Sequence, residues 1–445
     1  MTRLTPSKGI PAGSSGDWFG HPRGLSVLFL TEMWEIFSFY GMRVLLVYYM
    51  TGKLDFDQQY ASLVYGTYAA FVYFTPVFGG VVADRWLGKR KAVLIGGATM
   101  ALGHFMMSSE ALFYPALATI ALGNGLFLPS LASQIESLYR DGDPRSKSAY
   151  NIYYVGVNIG GFLAPLVCGT LGEAFGWHWG FTAAGIGMLA SLVIYVAGSR
   201  YLPAEPARGA DRRAARPPLS QAGRQRFAML IGIALIVVLF RGAYEQVGNT
   251  IALWAENGVD RQLASGWTIP MTWFQSINSL VVFAFTPLLV LHWARLARRG
   301  VETPWIGKMA FGAAIVAASY LMLAVLSVWC HAHGTRADWG WLVAWFVLMT
   351  TGELYILPVG LGLFGRLAPD GFRATSIATW FFASFFGNLL AGVLGTLWTP
   401  LSHANFFALI GGVAALSAVL LYLTGRRVGS VEMLAPGRTY MEPAQ

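Results

Sequence analysis

Charge is scarce in this 445-residue chain: Asp, Glu, Lys and Arg make up 12%, against 55% hydrophobic residues and 52 glycines. That scarcity excludes an ordinary soluble domain, whose surface needs about twice as many charges. Cysteine is almost absent. Cys168 and Cys330 lie in or at the end of apolar runs and far apart in sequence, which excludes a disulfide framework and makes them small core residues. A cleavable signal peptide is not expected either, because the first 20 residues are polar and rich in Gly, Pro and Ser; insertion would begin with the first spanning helix. No nucleophile–base pair, phosphate loop or metal-ligand cluster stands out. The histidines are scattered, and His331 with His333 is too little for a metal site. Neither an enzyme nor a cofactor or metal centre is therefore expected.

Apolar sequence in long runs is what the chain does have. Twelve stretches are long enough to cross a bilayer: 24–50, 60–83, 91–109, 112–137, 148–171, 179–199, 227–256, 266–292, 306–330, 340–364, 374–397 and 403–424. The expected class is an all-α membrane protein of twelve transmembrane helices. Of the 31 Lys and Arg, 26 fall in the N-terminal segment, the tail and every second break, counted to the first residues of the run that follows (Lys91 and Lys308). Only Lys53, Arg261 and Arg336 fall in the opposite breaks, and Arg43 and Arg241 lie within spans. Because positive residues mark the cytoplasm, both termini are expected there, with the chain in the cell (inner) membrane. The same distribution argues against nucleic acid as the target of the net charge of +9. Residues 200–226 are polar, basic and Pro-rich and read as a linker. The expected organisation is a cytoplasmic segment 1–23, a six-helix bundle 24–199, the linker 200–226, a second six-helix bundle 227–424, and a cytoplasmic tail 425–445.

The first run breaks the apolar pattern with Glu32, Glu35 and Arg43. A charge at that depth costs roughly 2.5–3.5 kcal/mol and usually faces a bundle interior or a wet pathway. Three-and-four spacing puts Glu32, Glu35 or Ile36, Phe39 or Tyr40, and Arg43 on one helix face.

The loop Gly79-Gly80-Val81-Val82-Ala83-Asp84-Arg85-Trp86-Leu87-Gly88-Lys89-Arg90-Lys91 resembles the signature between helices two and three of the major facilitator superfamily. Members of that superfamily close two six-helix bundles alternately around a midplane site. Within it, the chain resembles the proton-dependent oligopeptide transporters. The likeness rests on Glu32-Met33-Trp34-Glu35-Ile36-Phe37 with the aromatics after it, on Tyr68 to Pro76, Tyr150 to Gly161 and Gly176 to Phe181, and in the second half on Tyr244-Glu245-Gln246, Pro270 to Asn278, Gly352 to Leu361 and Thr379-Trp380-Phe381.

The resemblance implies a monomeric symporter that brings di- and tripeptides, or peptide-like compounds, into the cell with protons. It assigns Glu353, Asn158 and Asn278 to the peptide amino terminus, Tyr40 and Tyr68 to the cavity wall, and Trp380 to a side-chain pocket. Glu32 and Glu35 become the proton sites, and Arg43 with Glu245 an outer gate that opens when a proton neutralises the acid. A bond between helices is an equal reading of Asn158, and ordinary packing is the alternative for each aromatic.

Two departures fall together. Where the family has an arginine on helix one and a lysine on helix four, which receive the peptide carboxylate, this chain has Ile36 and Leu128. Two acids a turn apart without those counter-charges resist joint ionisation. Arg241 sits near midplane depth and has two readings: a replacement cation that meets Glu35 or an anionic substrate group, or an i,i+4 partner of Glu245. The changed clamp keeps two other functions in view. One is a carrier, or exporter, for a substrate lacking a free carboxylate, such as an amine, amide or modified peptide; the other is a non-transporting sensor or receptor on the same scaffold.

Overall fold

The computed structural model describes residues 18–140, 143–203, 219–301, 303–369 and 371–432. The expected N-terminal segment up to residue 17, the middle of the linker (204–218) and the tail from 433 lie outside the described residues. A helix occupies each of the twelve apolar runs: α1 Arg23–Gly52, α2 Gln58–Val82, α3 Lys89–Met106, α4 Phe113–Ala132, α5 Arg145–Ala164, α6 Trp177–Gly198, α7 Gln221–Tyr244, α8 Ser276–Arg298, α9 Trp305–His333, α10 Trp339–Leu367, α11 Arg373–Gly395 and α12 His403–Glu432. Ten of them belong to segments long and apolar enough to cross a membrane. The other two are α1, 30 residues long with Glu32, Glu35 and Arg43 inside it, and α3, 18 residues long and opening on Lys89-Arg90-Lys91. The molecule is a multi-pass, all-α membrane protein.

Two runs are less uniform than their apolarity suggests. Pro165 has no amide hydrogen to donate, and α5 widens there into a π-turn, Pro165–Gly169, before a last helical piece, Thr170–Phe175. After α7 the chain tightens into a 3₁₀ turn, Glu245–Gly248, and resumes as a helix at Thr250–Asn257. Short parallel strands β1 Val259–Asp260 and β2 Ala337–Asp338 pair beyond it.

The described residues form two compact units. One draws on the described residues within 18–56, 71–203 and 261–283, the other on those within 57–70, 219–260 and 284–432. In the first, Leu25 and Leu28 of α1, Val93 and Met100 of α3, Phe127 of α4 and Met188 of α6 share one core. Helices α2 and α4 touch backbone to backbone at Gly79 and Gly125, where a Cβ on Gly79 would collide with the Gly125 carbonyl. Small residues permit that approach. The basic residues of the 84–91 loop also bond carbonyls at helix ends: Lys89 Nζ donates to Ser133 O at 3.0 Å, and Arg90 to Leu202 O at 2.7 Å and Pro203 O at 2.9 Å. Carbonyls at helix C-termini lack intrahelical donors, so cations settle there.

In the second unit, α9 and α10 approach at Gly312 and Gly352, where a Cβ on Gly352 would lie 2.6 Å from the Gly312 carbonyl. The start of α2 packs on α11 with Gly66 against Gly392. A polar chain runs alongside: Gln58 Nε2 donates to Ser62 Oγ at 2.7 Å and to Gly395 O at 3.0 Å, and Ser62 Oγ donates to Asn249 Oδ1 at 2.9 Å.

Candidate functional site

In the first unit the acids of α1 are deeply buried, Glu32 at 3% and Glu35 at 2% exposure. Each has one carboxyl oxygen, Oε2, with no hydrogen-bond partner among the described residues. Thr31 and Ser38 on the same helix also keep buried, unpartnered hydroxyls. Such groups are costly to leave dry. Tyr153 of α5 stands beside Glu32 with its hydroxyl buried.

The first turns of α1 are held against α5 by glycines: a Cβ on Gly156 would lie 2.9 Å from the Phe29 carbonyl, and one on Gly160 would strike that of Met33. This approach defines the place of Ile36. Its Cβ lies 3.2 Å from the position of a Cβ on Gly160, and Ser279 Oγ of α8 lies 2.7 Å from one on Gly161. Ile36 is thus packed on α5 beside the start of α8.

Farther along α1, Arg43 is buried and its guanidinium lies 5.9 Å from the ring centroid of the half-buried Tyr40. Asn158 on α5 is half-buried and donates to Tyr154 O of its own helix at 2.8 Å. Asn278 on α8 is half-buried as well. The start of α8 is anchored by a residue that sequence reasoning missed. Both oxygens of Glu173 take part, accepting from the Met271 and Thr272 amides at 3.0 Å each and from Thr272 Oγ1 at 2.6 Å. Trp273 Nε1 donates to Thr170 Oγ1 at 2.8 Å and Ser276 Oγ to Phe162 O at 2.8 Å.

In the second unit, Arg241 near the end of α7 and Glu245 in the turn after it form a buried ion pair, Nη1 to Oε1 2.9 Å. The i,i+4 reading of Arg241 is therefore realised. Gly387 of α11 makes room for it, since a Cβ there would collide with the Arg241 side chain, and the Arg241 guanidinium lies 5.7 Å from the Tyr244 ring centroid. Gln246 reinforces this turn, donating to Ala391 O at 2.8 Å and accepting from Thr250 Oγ1 at 2.9 Å. Glu353 is 8% exposed and follows the glycine that lets α10 meet α9. Trp380 is buried against Gly360 and meets Phe364 edge-on, centroids 5.2 Å apart. Tyr68 is buried on α2. Hence Glu32, Glu35, Tyr40, Arg43, Asn158 and Asn278 belong to one unit, and Tyr68, Arg241, Glu245, Glu353 and Trp380 to the other. Among the described residues, no three His, Cys, Asp or Glu gather in a way that could hold a metal ion.

This arrangement of membrane helices has known counterparts. Residues 90–213 and 219–409 match the model of the POT family. Peptide transporter YePEPT of Yersinia enterocolitica subsp. palearctica is 32% identical, over 88% of this chain and 90% of its own. A di-/tripeptide transporter of Lactococcus lactis subsp. cremoris is 30% identical, over 91% of this chain and 95% of its own. A crystal structure of a mutant peptide transporter POT in complex with alafosfalin superposes with a TM-score of 0.85 at 28% identity, covering 95% of this chain and 97% of that one. With its helices, its buried acids and these relatives taken together, the chain belongs to the POT family of membrane transporters.

Proposed function

We propose that this chain is a proton-coupled symporter that imports di- and tripeptides or peptide-like compounds by alternating access. Membership of a family whose relatives are named peptide transporters carries the reading. The burial of Glu32 and Glu35 with unpartnered carboxyl oxygens supports the proton part.

Glu353 meets the substrate ammonium, and the amides of Asn158 and Asn278 complete its hydrogen bonds. Tyr40 and Tyr68 line the cavity with an apolar face and a polar tip, and Trp380 walls a side-chain pocket. Glu32 and Glu35 carry the proton. Glu245 works with Arg43 as a gate and, through its pair with Arg241, holds a second cation within the same turn. The two halves, 24–199 and 227–424, joined by 200–226, are the moving bodies of a monomer in the inner membrane, with both termini in the cytoplasm.

Ile36 and Leu128 favour a second reading of the substrate. Neither side chain can receive a carboxylate, so a compound without that group, such as a peptide amide or an amine, binds at least as well as a free peptide. Proteoliposome uptake of labelled dialanine under an inward proton gradient tests the first reading and alanine amide the second. Gradient-driven accumulation of dialanine supports peptide import, preference for the amide supports the altered substrate, and binding of either without flux refutes transport.

A further inference from the structure

In the second compact unit a cavity of about 650 Å³ opens among the end of α8, the start of α9, the middle of α10 and the end of α12. No residue given a transport role above lines it. An aromatic cluster forms part of its wall: Trp293 and Phe311 both meet Tyr355 edge-on, with centroids 5.4 and 5.2 Å apart. Its outer rim is apolar surface, with Phe311, Val419 and Tyr422 all more than half exposed. On a membrane helix that surface faces acyl chains.

One cation lines the cavity and a second stands beside the lining Tyr422. Lys308 Nζ lies 4.3 Å from the Trp293 ring centroid, and the Arg426 guanidinium lies 5.2 Å from that of Tyr422. Among the described residues no carboxylate forms a salt bridge with either. Both belong to the set of breaks rich in Lys and Arg, so the cavity lies at the cytoplasmic leaflet if the proposed orientation holds.

We propose that this cavity binds an anionic phospholipid, its phosphate held between Lys308 and Arg426 and one acyl chain laid along Trp293, Phe311 and Tyr355. Basic pockets between transmembrane helices on the cytoplasmic side suit such headgroups. A peptide in the same place would strand its amides against an apolar wall, whereas an acyl chain has nothing to satisfy. A zwitterionic lipid brings the same phosphate with its own ammonium and forfeits the complementarity.

Native mass spectrometry of the full-length protein, delipidated and titrated with phosphatidylglycerol or with phosphatidylcholine of the same chains, tests the site. Phosphatidylglycerol is retained preferentially, and each charge removed weakens its binding about fivefold, so that Lys308→Gln with Arg426→Gln loses about 25-fold. Lys308→Arg keeps the lipid, and inorganic phosphate at millimolar concentration does not displace it. Equal retention of the two lipids, undiminished binding in the double variant, or displacement by free phosphate overturns the proposal. Because the titration is blind to leaflet, a failure counts against the site and not against the orientation.

Discussion

At the scale of single residues, Arg241 and Glu245 show how an intramembrane charge is tolerated. The pair is buried and four residues apart, across the end of α7 and the turn that follows, so each charge has an opposite one beside it. Removing one partner leaves an uncompensated buried charge, which costs about 3–5 kcal/mol, whereas removing both often costs little. Arg241→Gln should therefore lower the thermal midpoint of the detergent-solubilised protein strongly, and Arg241→Gln with Glu245→Gln should recover most of it. If the double variant melts no higher than the single one, the pair is not what holds Arg241 in place.

Glu35 poses the complementary case, a buried acid with an oxygen that nothing described satisfies. Glu35→Gln should reduce gradient-driven uptake roughly tenfold, in line with ordinary coupling free energies, while exchange of labelled for unlabelled substrate without a gradient continues. Undiminished driven uptake would remove Glu35 from the proton path.

Outside the membrane, hydrogen bonds from the Arg145 side chain and backbone hold the Asp143 carboxyl below its ordinary value of 3.8. Being depressed in the fold, it contributes stability that is fully present above pH 3.8 and lost as pH falls further, through its folded-state value. The melting difference between Asp143→Asn and the parent should hold from neutral pH down to that point and then shrink. A difference constant into stronger acid would rule the pair out as its source.

At the scale of elements, the helices were legible and some of their ends were not. Length and apolarity pick out runs such as 306–330 and 340–364, and α9 and α10 fill them. The i,i+4 pair on α7 was readable because it is local. The anchoring of α8 was not: Glu173 lies 98 residues before Met271, and no spacing rule links a carboxylate on one helix to the first amides of another. The turn at Pro165–Gly169 was equally hidden, since an apolar run looks the same in an α or a π pitch. Glu173→Ala deletes three accepted hydrogen bonds and leaves two backbone amides without a partner, a loss of about 1–3 kcal/mol per stranded group. Hydrogen–deuterium exchange of peptides covering residues 268–280 should speed up accordingly, with exchange in α3 unchanged. Uniform acceleration across both would mean global destabilisation instead.

At the scale of the whole molecule, the family follows from matches along most of the chain, and the orientation rests on 26 basic residues set against three. Both native cysteines are buried, which leaves a quiet background for labelling. In right-side-out vesicles a cysteine at Arg336 should react with an impermeant maleimide and one at Arg299 should not; the reverse pattern would invert the topology. Candidate residues were legible wherever type and spacing single them out, as with Glu32 and Glu35. They were not legible where packing decides, as with Ile36, whose place against Gly160 comes from two helices meeting.

The π-turn of α5 carries an implication for how this chain tolerates insertion and deletion. A π-turn accommodates one residue more than an α-helix of equal rise, and one residue corresponds to about 100° of rotation. Deleting a single residue within Pro165–Gly169 would therefore shorten no loop. It would let the turn relax to α pitch and leave Thr170 and Glu173 facing Trp273 and Thr272, whereas the same deletion in the regular helix before it would swing both by about 100° and disconnect two helices with every contacting residue intact.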